Sequence, residues 1–429
     1  MERIRIQGEQ PLKGSVCISG AKNAAVAIIP AALLADDLVE LENVPHIADI
    51  KNLVAVLREM GVRINYKDEH TLMIDSRGLS NQCVDMEGVR KMRASYYLLG
   101  VLLGRFGKAE VAFPGGCNFG QRPIDLHLKG FEAMGATVDA GDVIRVEASE
   151  LCGANVFLDV VSVGATINIM LAAVRAKGTT IISNAAKEPH VVDTANFLNS
   201  MGAKISGAGT DRVVIRGVEK LHGTSYAIIP DQIEAGTYMV AAAITGGDVV
   251  VQNIIPRHMD AISAKLSEMG VTIEEMDDAI RVAVEKPLHE IVIKTAPYPG
   301  FPTDMQPQFM TLMSVVNGTS IITENVWENR FQYVAQLCKM GADISVDGRI
   351  AVVKGAKRLN GCTVEATDLR AGAAMVLAGL AAKGTTTITN VKYIYRGYES
   401  MVQKLIALGA DITCEGETPE LVLVEGKLR

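Results

Sequence analysis

Aromatic residues make up only 5% of the 429, and charge of one sign never accumulates into a block of five or six. With a formal net charge of −7, this leaves no basic stripe and no interleaved aromatics for nucleic acid. Signatures of common phosphate and hydrolytic sites are missing as well: there is no GxxxxGK[ST], no complete GxGxxG, no HExxH and no GxSxG. The seven cysteines (17, 83, 117, 152, 338, 362 and 414) are odd in number, scattered, and never form CxxC. Disulfide and zinc frameworks are thereby disfavoured, and free thiols in a reducing compartment are expected. The longest apolar run, Ala24–Ala35, is too short to span a bilayer and contains Pro30, while the opening MERIRIQGEQ lacks a signal-peptide core. A cytoplasmic protein with no membrane partner is the expectation.

What the chain does have is apolar bulk, 48% hydrophobic against 21% charged, enough for two or three domains with their own cores. It also repeats itself. REMGVRI, EAMGATV, NSMGAKI, SEMGVTI, CKMGADI and IALGADI share glycines at 61, 135, 202, 270, 341 and 409, a period of about 70 residues. Each phrase reads as an amphipathic helix capped by glycine and followed by a short alternating strand. About 40 residues upstream of each lies a second helix, apolar nearly all round, then a Gly-centred turn and a β-rich segment. KNAAVAIIPAALL and RAGAAMVLAGLAAKG are two of these. Helices apolar on every side must be buried, so the unit alternates strand with helix and hides one helix of two. Because no atypical capping repeat appears at either end, two closed groups of three fit better than an open solenoid.

Basic residues stand at the starts of three of the apolar helices: Lys22 beside Asn23, Arg93, and Arg370 in DLRAGAA. A cation there would add to the helix dipole and to free N–H groups, making an anion site. Such a residue is often merely solvated, but three copies in one register argue for a ligand. Loop arginines Arg122, Arg330 and Arg396 extend the set, and guanidinium forks suit carboxylate and phosphate oxygens. Within an acidic chain, these point to a small, strongly anionic substrate. The stretch PGGCNFGQRPID places Cys117 on glycine-freed backbone five residues from Arg122, a setting for a chemically active thiol rather than a packed one.

These residues resemble the UDP-N-acetylglucosamine enolpyruvyl transferases. The likeness lies in AKNAA at 21–25, MRAS at 92–95, PGGC…RPIDLHL at 114–128, SVGATINIM at 162–170, FPTDMQPQF at 301–309, ATDLRAGA at 366–373 and RGYE at 396–399. The resemblance covers essentially the whole chain. It implies an α/β fold of two domains, each an inside-out α/β barrel of three repeats about a pseudo-threefold axis with helices buried inside. The domains would be 22–229 and 1–21 plus 230–429, with the active site in the cleft between them. The implied reaction moves the enolpyruvyl group of phosphoenolpyruvate to the sugar 3-hydroxyl of UDP-N-acetylglucosamine and releases phosphate, the first committed step of peptidoglycan synthesis.

By the same resemblance, Cys117 is the acid that protonates carbon 3, can form a covalent adduct with phosphoenolpyruvate, and is alkylated by fosfomycin. Asp304 would be the base at the sugar hydroxyl. Lys22, Arg122 and Arg396 would hold phosphoenolpyruvate, Asn23 would touch the reacting centre and Arg370 would support it. The nucleotide sugar would meet Asn23, Arg93, Arg122, Pro123, Ile124, Asp125, Leu126, Ser162, Val163, Gly164, Asp304 and Val326, with Glu188, Asp231 and Arg330 as secondary candidates. No metal or cofactor is implied. Val160 stands where some relatives carry lysine, and Tyr96–Tyr97 where some have tryptophan. His127 reads as structural, and the other six cysteines as packing residues. The nucleotide sugar is expected to bind first and draw the domains together, with residues 114–125 folding over the site. Two rivals are weaker. The sister 5-enolpyruvylshikimate-3-phosphate synthases share fold and reaction but lack the GGC…RPID loop, and a non-catalytic sensor would have no use for Cys117 and Asp304.

Overall fold

The computed structural model describes residues 2–80, 83–84, 93–112, 124–141, 143–355 and 358–416, with Cys83, Val84, Arg93 and Ala94 as backbone alone. Cys117, Arg122 and Pro123 lie outside the described residues.

Six four-stranded sheets share one plan, a parallel pair followed by two antiparallel neighbours. In the first, Ser225–Ala227 runs parallel to Leu38–Glu42, which pairs antiparallel with Thr71–Asp75, and that strand with Arg63–Asp68. Alternation along Leu38–Glu42 and its counterparts turns one face inward, as a half-buried strand requires. Against the inner faces lie the apolar helices, Lys22–Ala31, Tyr97–Phe106 and Val163–Ala173 in one lobe and Gln232–Thr245, Gln306–Met313 and Leu369–Ala381 in the other. Ala24 through Ala31 are all buried, as are Ala165 through Ala173, which explains their lack of a polar face. The architecture is therefore the inside-out α/β arrangement, with helices within and sheets without.

The six phrase glycines take φ between +94° and +99°, the left-handed region in which a side chain would be strained, so each ends its surface helix. The repeat thus has a stereochemical cause. One core draws on residues between Ala21 and Ile228, the other on Ile4–Ile18 and on residues between Ile233 and Ile412. The chain passes between the lobes twice, side by side: Ala21 donates its N–H to Ile229 O at 2.7 Å, and Asp231 to Ser19 O at 2.9 Å. No helix among the described residues is long and apolar enough to cross a membrane.

The cysteine expectation needs correcting. Cys17, Cys152, Cys338 and Cys414 are exposed and Cys362 is half-buried, all as free thiols. Cys17 falls on an outward position of its strand, where a small thiol packs against little, whereas Cys414 follows the inward parity of Ile412, opposite Ile4, and bonds with Tyr395.

Candidate active site

The cationic side chains of the two lobes meet around one carboxylate. Lys22 opens the helix Lys22–Ala31, and Arg396 ends a 3-10 turn, Val391–Arg396, in the other lobe. Between them stands Asp49, from the first turn of helix Ala48–Glu59. Lys22 Nζ lies 2.8 Å from its Oδ2, while Arg396 Nε and Nη2 donate to Oδ1 and Oδ2 at 2.9 and 3.3 Å. Burial alone would raise the Asp49 carboxyl, but Lys22 and Arg396 outweigh it and hold it below its usual range. Burial pushes the Lys22 ammonium down, partly opposed by Asp49, with Arg370 and Arg396 adding to the lowering. Among the described residues, two cations thus share the Asp49 carboxylate.

A second carboxylate sits on the 3-10 turn Thr303–Met305. Asp304 accepts from Arg370 Nε and Nη2 at 3.2 and 3.1 Å on Oδ2, and from Arg330 Nη2 at 3.0 Å on Oδ1. Both arginines are only 3% exposed, whereas the Asp304 side chain is 28% exposed. Two buried guanidiniums therefore fix a carboxylate that still reaches the cleft, and favour its charged form. Arg370 rests over the Tyr398 ring, 5.4 Å from the centroid, and Tyr398 Oη is bonded with Thr237 Oγ1 at 3.0 Å and receives Gln308 Nε2 at 3.2 Å. Burial opposes the Arg370 charge, but Tyr398, Asp304 and Asp231 more than restore it.

Each residue of RGYE has a task here. Arg396 grips Asp49. At Gly397 a Cβ would meet Leu369 Cδ2 at 2.8 Å and Lys22 Cδ at 3.0 Å, so glycine lets the lysine stem pass. Tyr398 underlies Arg370. Glu399 reaches across the lobes, accepting from His46 N at 2.9 Å with its other oxygen 3.5 Å from His70 Nε2. Asp49, Tyr398 and Glu399 were missed by sequence reasoning; the only hint of Asp49 was an acid in a helix first turn.

Capping carboxylates take some of the N–H groups expected to be free at the helix starts. Asp368 Oδ1 accepts from Arg370 N and Ala371 N at 2.8 and 3.0 Å. Asp231 caps helices of both lobes, accepting from Ile233 N and Glu234 N on one oxygen and from Lys22 N, at 3.0 Å, on the other. The shared register fails, because Arg93 opens a 3-10 turn, Arg93–Tyr96, ahead of helix Tyr97–Phe106.

Among the remaining expected contacts, Asn23 is half-buried beside Lys22. Ser162 Oγ caps helix Val163–Ala173 by accepting from Ala165 N, which sets Val163 and Gly164 in its first turn. Ile124 and exposed Asp125 begin helix Asp125–Ala133, but the Leu126 side chain is in the core, leaving only its backbone to a ligand. Val326 is half-buried and gives its N–H to Glu324. Glu188 Oε1 accepts from Tyr298 N across the lobes at 3.3 Å. Val160 is 57% exposed. His127 is buried, takes a contact of 3.0 Å from Asn168 Nδ2 on Nδ1, and is pushed down to about 3 by burial, so it is neutral at physiological pH and structural.

This geometry, cations from two lobes near a fixed carboxylate, sits on a fold found elsewhere. The family described as EPSP synthase (3-phosphoshikimate 1-carboxyvinyltransferase) matches residues 6–405, and the chain belongs to it. The enolpyruvyl transferase NikO from Streptomyces tendae superposes with a TM-score of 0.87 at 28% identity, covering 96% of this chain and 99% of that one. EPSP synthase from Acinetobacter baumannii, at 20% identity and a TM-score of 0.75, shares the fold. Within the family the sequence is similar to UDP-N-acetylglucosamine 1-carboxyvinyltransferase 3 of Caldanaerobacter subterraneus, 57% identical over 96% of this chain and 99% of the relative. It is also similar to UDP-N-acetylglucosamine 1-carboxyvinyltransferase 2 of Clostridium acetobutylicum, 53% identical over 97% and 100%.

Proposed function

We propose that the chain transfers the enolpyruvyl group of phosphoenolpyruvate to the 3-hydroxyl of UDP-N-acetylglucosamine, releasing phosphate, in the cytoplasm and toward peptidoglycan. The observation that carries this reading is the convergence of Lys22 and Arg396 from opposite lobes, within electrostatic reach of Arg370, beside an oriented Asp304. Relatives above 50% identity over nearly the whole chain supply the substrate names.

The reaction is addition followed by elimination. Asp304 takes the proton of the sugar hydroxyl as its oxygen bonds to carbon 2 of phosphoenolpyruvate, and carbon 3 gains a proton from the Cys117 thiol. The tetrahedral adduct then loses phosphate, which carries away the proton held by Asp304, while carbon 3 returns a proton to the Cys117 thiolate and the double bond is restored. Lys22, Arg396 and Arg122 hold the phosphate and carboxylate, Asn23 meets the reacting centre, and Arg370 steadies Asp304. The Cys117 thiol also adds across the double bond of phosphoenolpyruvate, sulfur to carbon 2 and proton to carbon 3, to give a covalent adduct that keeps the phosphate, and as thiolate it opens the epoxide of fosfomycin. Nucleotide sugar binds first and draws the lobes together.

Phosphate release from phosphoenolpyruvate, measured with and without UDP-N-acetylglucosamine, tests the reading. Release should require the nucleotide sugar. It should fall about a hundredfold or more in Cys117→Ser, a far weaker acid, and survive in part in Cys117→Asp, which should resist fosfomycin. A fully active serine variant would overturn the acid assignment; no release from the unmodified protein would overturn the function.

A further inference from the structure

Among the strand ends described, the pseudo-symmetry of the fold is broken at one, and the break lies beside Asp304. In four units the residue after the central parallel strand is an asparagine in the left-handed region: Asn43, Asn184, Asn253 and Asn390, with φ of 55–57°. In three of them its side-chain amide donates to the carbonyl just beyond the neighbouring strand, on Ile228, Leu158 and Ile18, at 2.6–2.8 Å. The next residue gives its N–H to the residue preceding the antiparallel strand, Val44 to His70, Ala185 to Asp211 and Ile254 to Asp278.

The fifth unit departs from this. Its strand Thr319–Thr323 is followed directly by Glu324, whose own N–H goes to Arg349 O at 2.8 Å. The left-handed asparagine is skipped, and Asn325 keeps its amide bond, to Thr295 O at 3.1 Å. The loop could close as the others do, yet this unit carries a carboxylate that is 0% exposed. Burying an acid is costly unless donors meet it, and here four do. Glu324 Oε1 accepts from Thr295 Oγ1 at 2.8 Å, Val326 N at 2.8 Å and Trp327 N at 3.1 Å, while Oε2 accepts from Thr303 Oγ1 at 2.9 Å. Thr303 immediately precedes Asp304, and Val326 is an expected nucleotide-sugar contact.

We infer that Glu324 is a positioning residue for the transfer reaction, its buried carboxylate fastening the Thr303–Asp304 turn to the Val326–Trp327 segment so that base and nucleotide sugar are held in one frame. This rests on the proposed transferase reading. The arginines fix the far side of the Asp304 carboxylate, and Glu324 fixes the backbone that carries it.

Two variants and two readouts test the assignment. Glu324→Gln keeps length and shape but replaces one acceptor with a donor, and Thr303→Val removes the hydroxyl it grips. Each should lower kcat for phosphate release about 10- to 100-fold with KM for phosphoenolpyruvate within about threefold, because a misplacement of about 1 Å can cost about a hundredfold. The double variant should lose less than the product of the single losses. Trp327 is the single tryptophan of the chain. Its emission, read without substrates, should become more accessible to acrylamide in Glu324→Gln than in the unmodified protein. A folded Glu324→Gln protein with unchanged kcat, or with multiplicative losses in the double variant, overturns the assignment. If the unmodified protein releases no phosphate, the transferase reading fails; the tryptophan measurement then still decides the tie, unchanged quenching refuting it.

Discussion

The two carboxylates at the cleft are held in opposite ways. Asp304 is fixed from within its own lobe, by Arg330 and Arg370, whose cores and turns belong to one packed body. Asp49 is held across the cleft, and its bond to Arg396 spans 347 residues of sequence and exists only while the lobes face each other. One acid is set before any ligand arrives, the other reports how the lobes stand. On the proposed reading the contrast separates a group that acts in the chemistry from one that acts in closure, though both are carboxylates flanked by two cations.

The sharpest way to break the contrast is Asp304→Asn. The amide keeps an oxygen for one guanidinium but cannot take a proton, so kcat should drop about a thousandfold, within the usual range for a lost base, while nucleotide-sugar affinity by calorimetry changes little. Turnover near that of the unmodified protein would remove Asp304 from the role. Asp49→Asn should act on the other side of the comparison. It leaves Lys22 and Arg396 without their shared anion, and the expected result is a fall of about 10- to 100-fold in kcat/KM for phosphoenolpyruvate, as for a broken charge pair in a partly desolvated site. Small-angle scattering should show a larger radius of gyration, which Asp304→Asn should not. Equal dimensions in both variants would erase the distinction.

The smallest effect concerns stability away from the cleft. Asp193 lies under the passage between lobes, accepting from Tyr226 Oη at 2.6 Å and Ile229 N at 3.3 Å, and burial lifts its carboxyl from 3.8 to about 6. A raised carboxyl binds its proton more tightly folded than unfolded. Its contribution is therefore fully present below about 4 and fades as pH rises through about 6. Thermal midpoints measured at pH 5 and pH 7 should differ less in Asp193→Asn than in the unmodified protein, by a few degrees at most.

The repeat was open to view in the sequence because its cause is local. A helix ending at a left-handed glycine needs no partner to declare itself, and a helix without a polar face has only one place to go. Lys22, Asp304, Arg370 and Arg396 were legible through the motifs around them. Asp49, Tyr398 and Glu399 were not, since an acid in a first helical turn, a tyrosine and a glutamate acquire their tasks only from the opposite lobe or from a buried network. The same locality concealed part of the helix starts: Asp231 and Asp368 look like ordinary neighbours of those starts, and their side chains take the amides of Lys22, Arg370 and Ala371. Glu324 could have been noticed as an irregularity among units, but its grip on Thr303 appears only in three dimensions.

The amino-terminal strands carry one more consequence. Arg3–Gln7 pairs with Thr385–Thr389 and Asp411–Glu415, and Lys13–Cys17 with Asp248–Gln252. Arg3–Gln7 thus meets its partners only after residue 415 has been made, and Lys13–Cys17 only after residue 252. The segment between the passages, by contrast, holds its whole interior within one continuous stretch and is ready to collapse early. Biosynthesis thus builds the inserted body ahead of its host, and the strand Arg3–Gln7 acts as the closing seam of the body finished afterwards.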